Sequence, residues 1–153
     1  MNVMMMILRA SRPSRLSDMV AVAKPRWIKR GYDGLTFFGY IITHSKQEAE
    51  AFNRRYSPLK NHEMIHLYQA RSTCDSWIVF YLRYGAYWLS ASRYRKHLQN
   101  AGYWLNPFEM EAYAEMYDLN YLSSCPHGCV GWKRYAKMPL DKRLQLFRAH
   151  IMK

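Results

Sequence analysis

The feature that most restricts this chain is His62-Glu63-Met64-Ile65-His66, which stands just inside a helix whose start is legible in the sequence. Ser57-Pro58 is an initiation signal. A serine hydroxyl accepts a hydrogen bond from a free N–H of the first turn, and proline at the first helical position gives up no intrahelical bond. The spacing predicts a helix from Pro58 to about Ser72. Residues four apart lie above one another on it, so His62 and His66 share a face. Two imidazoles so placed can hold one metal ion. Zinc suits nitrogen ligands and keeps a coordination position open where it does chemistry. Glu63, beside the first His, is then placed as general base, taking a proton from a zinc-bound water that attacks a carbonyl. The competing reading is two histidines packed on an apolar face, with Glu63 solvated.

A zinc site needs a third ligand. A metzincin-like continuation would place Gly and His where this chain has Gln69 and Ser72, so the ligand comes from elsewhere. Asn106-Pro107 repeats the cap-plus-proline signal and predicts a helix to about Leu122, with Glu109 and Glu111 near its start. Glu109 shares a helical face with Ala112, Tyr113 and Met116, which is apolar. Glu111 shares one with Ala114, Glu115 and Asp118, which reads as solvated. Glu109 is therefore the expected ligand and Glu111 the alternative. A buried carboxylate needs a partner, which zinc would supply. A Glu that only complements the helix N-terminus is the plainer explanation.

Asn61-His62-Glu63-Met64-Ile65-His66-Leu67-Tyr68-Gln69, followed by Glu109-Met110-Glu111-Ala112-Tyr113, resembles the gluzincin superfamily of zinc metallopeptidases. Within it, the chain is similar to small bacterial zincin-like proteins with HExxH, a nearby Gln and a later ExEA helix. It is more distantly similar to membrane peptidases of the prenyl-protein type, which carry HExxH and a later ExxAD. The resemblance covers about residues 35–122. It implies a minimal zincin-like core of one edge strand, the motif helix, a connecting helix and the ligand helix, with a peptide as substrate. Where ExxAD has an Asp that orients a ligand His, this chain has Tyr113, and Tyr113, Tyr56 and His127 are the candidate oxyanion donors.

The rest of the chain reads as mainly α (α+β), a helical bundle with a small strand element. Residues 1–30 read as a basic N-terminal arm and 31–153 as a single domain. Gly31-Tyr32-Asp33-Gly34 is a turn signal. Leu35 to Thr43 is the best strand candidate, with a partner sought in 20–29. Glu48, Glu50 and Ala51 suggest a short helical turn. Asp75 is the expected cap of a long apolar helix from Trp77 to about Gln99, read as central and buried, or as lying on a membrane. Asn100-Ala101-Gly102 breaks the chain, Ser123 to Gly131 is a loop, and Pro139 opens a last helix with Leu140, Leu144, Phe147 and Ile151 in phase.

Twenty-three Lys and Arg against 11 Asp and Glu give a net charge of +12. Such a surplus attracts anions. The alternative function is accordingly a basic protein that binds nucleic acid or a membrane surface, with zinc structural or absent. Trp132-Lys133-Arg134-Tyr135-Ala136-Lys137 mixes cations with aromatics in the way such contacts do. Cys74 reads as buried. Cys125-Pro126-His127-Gly128-Cys129 reads as a loop, with a second metal site as the sharper alternative. Neither Met1–Leu8 nor Trp77–Leu89 has the form of a secretory signal or spanning helix, so a cytoplasmic or membrane-peripheral location is expected.

Overall fold

The structure, a computed structural model, describes residues 20–23, 26, 35–37, 39–54 and 57–150. Most of the basic lead-in, the turn at 31–34, Tyr56 and Ile151 lie outside the described residues. The described residues form a mainly helical α+β fold with one small sheet.

The sheet has three strands in the order β1 (Val20–Ala23), β3 (Tyr40–Thr43), β2 (Leu35–Phe37). β1 runs parallel to β3, with Val20 opposite Tyr40 and Ala23 opposite Thr43. β2 runs antiparallel, with Leu35 opposite Ile42 and Phe37 opposite Tyr40. The stretch read as one strand is thus a hairpin, because Gly39 takes a φ of 88° and turns the chain back. The partner expected in 20–29 is β1, which falls within the stretch read as an arm. Helix α1 (Lys46–Arg54) starts on a capping box. The Ser45 hydroxyl accepts from Glu48 N, and Glu48 Oε2 accepts from Ser45 N. Asn53 fastens α1 to β1, accepting from Ala21 N at 2.9 Å.

Helix α2 (Pro58–Ser72) matches its expected span, and the Ser57 hydroxyl accepts from Lys60 N. Helix α3 (Trp77–Ser92) differs from expectation at both ends. Its cap is Ser76, because Cys74 and Asp75 form a left-handed turn with φ of 62° and 51°. Beyond Ser92 the hydrogen bonds tighten, Tyr94 N to Ala91 O and Arg95 N to Ser92 O, and the helix ends before Gln99. Its burial also differs: Trp77, Phe80 and Ala91 are buried, while Ile78, Leu82, Trp88 and Leu89 face outward.

A short helix α4 (Ala101–Trp104) follows Asn100, whose φ is 56°. Helix α5 (Pro107–Glu115) is capped by the Asn106 side chain. It stops short of Leu122, because its last carbonyls turn to the side chain of Asn61. Asn61 Nδ2 donates to the carbonyls of Glu115, Met116 and Asp118. A 3-10 turn (Tyr121–Ser124), helix α6 (Trp132–Ala136) and helix α7 (Leu140–His150) complete the chain. α6 falls in the mixed basic-aromatic segment, with Trp132 and Tyr135 turned into the core and Lys133 and Arg134 outward.

The main core joins the sheet, α1, α2, α3, α5 and α6 through Ile41, Phe52, Ile65, Trp77, Phe108 and Trp132. A smaller one, with Leu105, Leu144 and Phe147, holds α7 against α4. Arg143 on α7 is buried yet satisfied, donating to the carbonyls of Met138, Leu105 and Ala136. No described helix is long and apolar enough to cross a membrane.

Candidate metal centre

The local reasons for the site lie in α2 and α5. The turn periodicity of α2 stacks His62 and His66, and their ring centroids are 4.8 Å apart. Asn61 sets the register between the helices by holding the end of α5, which brings Glu109, in the first turn of α5, over the two rings. His62 Nε2 and His66 Nε2 are 3.1 Å apart. Glu109 Oε2 is 3.3 Å from His62 Nε2, and Oε1 is 3.4 Å from His66 Nε2. All four motif residues are buried, at 3–6 % exposure for His62, Glu63, His66 and Glu109.

His62, His66 and Glu109 are the one group of at least three His, Cys, Asp or Glu side chains among the described residues whose ligand atoms converge, all within 4.8 Å. The spacing fits an ion. Ligands about 2.0–2.1 Å from a tetrahedral zinc stand roughly 3.3 Å from one another. The polar inventory fits as well, because Glu109 Oε2 is buried without a hydrogen-bond partner. A buried carboxylate oxygen in that state calls for a positive neighbour. The group can therefore hold a metal ion.

The electrostatics agree. Burial works against a charge on His66, but the Glu109 carboxylate, with Glu63 and Gln69 behind it, outweighs burial and lifts His66 to about 9. Burial likewise works to raise Glu109, yet His66 and His62 hold it below the usual carboxylate range. The cluster thus stores a positive charge against Glu109 in the place a cation would take.

Around the ligands is a shell that sequence reasoning missed. Gln69 Nε2 donates to Phe108 O at 2.9 Å and to Glu111 Oε2 at 2.6 Å. Its Oε1 must then be the atom that meets His66 Nδ1 at 2.8 Å. Nδ1 therefore carries a proton, and Nε2 is the nitrogen turned toward His62 and Glu109. Glu111, read as solvated, is 1 % exposed. Besides Gln69 it accepts from the Tyr121 hydroxyl and from Gly131 N, each at 2.6 Å. It is not a ligand in this geometry. It is the anchor of the side chain that orients one. Helical phase alone had put it in water, because the loop carrying Tyr121 and Gly131 folds over that face. Tyr84 on α3 donates to Glu109 Oε1 at 2.8 Å. Gln69 could have been found from its position three residues after His66 on one face; no sequence signal points to Tyr84.

The remaining candidates lie apart. The Tyr113 ring stands edge-on to His62 at 4.5 Å, while its hydroxyl pairs with that of Tyr103 at 2.9 Å. His127 lines a surface pocket with Arg71, Cys74 and Cys125 beyond the end of α2. All three cysteines are free thiols; Cys129 is buried, whereas Cys74, expected inside, is exposed because its left-handed turn swings it outward.

Comparison with protein-family models, with curated proteins and with solved structures finds no match for this chain.

Proposed function

We propose that the chain is a zinc-dependent hydrolase of the metallopeptidase kind, acting on a peptide or protein. The supporting observation is the convergence of His62, His66 and Glu109 within 3.1–3.4 Å of one another. Those three residues would hold the ion. When bound, zinc supplies Lewis acidity that polarises a carbonyl and brings the pKa of water toward neutrality. Glu63 takes the proton of the attacking water on a carboxylate oxygen. It returns that proton to the leaving nitrogen as the new C–O bond replaces C–N. Gln69 and Glu111 keep His66 turned to the site, and Tyr84 steadies Glu109.

Two features bear on the substrate. Among the described residues β2 pairs only with β3, and it lies beside α2, so its other edge would offer backbone groups to an extended peptide. A cavity of about 570 Å³ is lined by Met110, Ala114, Arg134 and Tyr113 among others, and the Tyr113 ring also stands edge-on to His62. The burial of all four motif residues favours a second reading, a structural zinc that ties α2 to α5.

Elemental mass spectrometry of the purified protein, joined to turnover of a fluorogenic peptide library, tests both. The hydrolase reading expects about one zinc per chain, lost in Glu109→Ala. It also expects peptide cleavage that Glu63→Gln lowers by about 10²–10⁴-fold while zinc is kept. Zinc without cleavage leaves the structural reading, and failure to take up zinc removes both.

A further inference from the structure

Helix α3 has two unlike faces. Trp77, Phe80 and Ala91 point into the core, with Tyr84 and Tyr87 packed against it. On the opposite side Ile78, Leu82, Gly85 and Leu89 follow one another at steps of four, three and four, which is one helical stripe. It is open: Ile78 is 45 % exposed, Leu82 69 %, Leu89 68 %, and Trp88 on its flank 48 %. A Cβ placed on Gly85 would meet nothing within 4 Å. The stripe runs about 16 Å.

The charge carried by α3 and the turn that follows it has one sign. No Asp or Glu occurs between Asp75 and Glu109, whereas Arg83, Arg93, Arg95 and Lys96 are all exposed. Arg93 continues the stripe one turn beyond Leu89. The acid that approaches the patch is Asp141, which accepts from the Tyr94 hydroxyl.

We infer that the outer face of α3 docks on an anionic lipid bilayer. An aliphatic centre, a Trp at its border and cations at one end match the interface of such a bilayer: acyl chains take the leucines, headgroups the Trp and the basic residues. At 16 residues the helix lies in the surface and does not cross. Nucleic acid fits less well, because a phosphate backbone leaves Ile78, Leu82 and Leu89 in water. The inference stands independently of the metal centre.

The test is co-sedimentation of the full chain with vesicles of phosphatidylcholine alone and of equal parts phosphatidylcholine and phosphatidylglycerol. Wild type is compared with the double variant Leu82→Asp, Leu89→Asp and with the triple variant Arg93→Glu, Arg95→Glu, Lys96→Glu. All five positions are on the surface, and thermal melts confirm that the variants fold. Wild type is expected in the anionic pellet and not the neutral one, with binding that falls as salt rises. The aspartate pair is expected to weaken binding by more than about tenfold, and each reversed cation by on the order of fivefold. Absence of wild type from the anionic pellet overturns the inference. So does unchanged vesicle binding by the aspartate pair, which would place the lipid contact elsewhere. A wild-type dimer that the pair dissociates, without vesicle binding, would make the occupant a second copy. Duplex DNA or RNA binding that ignores the pair, again without vesicle binding, would make it a nucleic acid.

Discussion

Glu111 Oε2 accepts a 2.6 Å hydrogen bond from Gln69 Nε2, and that one contact decides which nitrogen of His66 faces Glu109. With its amide nitrogen committed to Glu111 and Phe108 O, Gln69 can offer only oxygen to the imidazole. Partners of this kind behind a metal-ligating His tune affinity by about 10–100-fold. Gln69→Ala and Glu111→Gln are each expected to weaken zinc binding by that much, measured by competition with a chromogenic chelator. Glu109→Ala should abolish high-affinity binding, so equal losses in all three would contradict the division into ligand and support.

Gly131 is where the loop admits Glu111. Its N–H donates to Glu111 Oε1, and a Cβ there would stand 2.6 Å from the same oxygen. Gly131→Ala therefore displaces the carboxylate or the loop. The expected cost is about 1–3 kcal/mol, the range for disturbing a buried hydrogen-bonded group, read by urea denaturation. Zinc affinity should fall in parallel, and an unchanged midpoint with unchanged affinity would refute the argument.

Much of this was legible in advance, for local reasons. Ser57-Pro58 and Asn106-Pro107 announce two helix starts through side-chain chemistry confined to one turn, and both helices begin there. His62, His66 and Glu109 could be chosen because ligand spacing and helical phase are also local. The ends were harder. α5 stops where Asn61, far off in sequence, takes its carbonyls, and α3 stops well before Gln99. Glu111 was misread for the same reason: its donors Tyr121 and Gly131 belong to a loop that only tertiary folding brings over it.

Metal removal should cost stability, because His62 and His66 on α2 and Glu109 on α5 are assembled only in the folded chain. An ion that binds the native state alone stabilises by mass action, by about 2.7 kcal/mol at a hundredfold excess over its dissociation constant. Thermal melts with added zinc should climb with zinc concentration and fall back on chelation. A midpoint indifferent to zinc would show that the ion does not bind the folded protein.

The thiols should separate by reactivity. Cys74 is exposed on its left-handed turn, whereas Cys129 is buried, and burial and the nearby Glu111 both push its thiol pKa up. Because the thiolate is the reactive form, Cys74 should label quickly with a maleimide at neutral pH and Cys129 only on unfolding. Peptide mapping after brief labelling distinguishes them, and early modification of Cys129 would argue against the packing of its loop on α2.

Asn61 and His62 are chain neighbours that grip α5 at its two ends, one by the last carbonyls and the other through Glu109. A helix of nine residues has almost no standing of its own in water. Its order is lent by α2, so the two should open and close as a single cooperative unit. Backbone amides of both helices would then exchange with deuterium at one shared rate, and zinc would slow them together while leaving the sheet at its own pace.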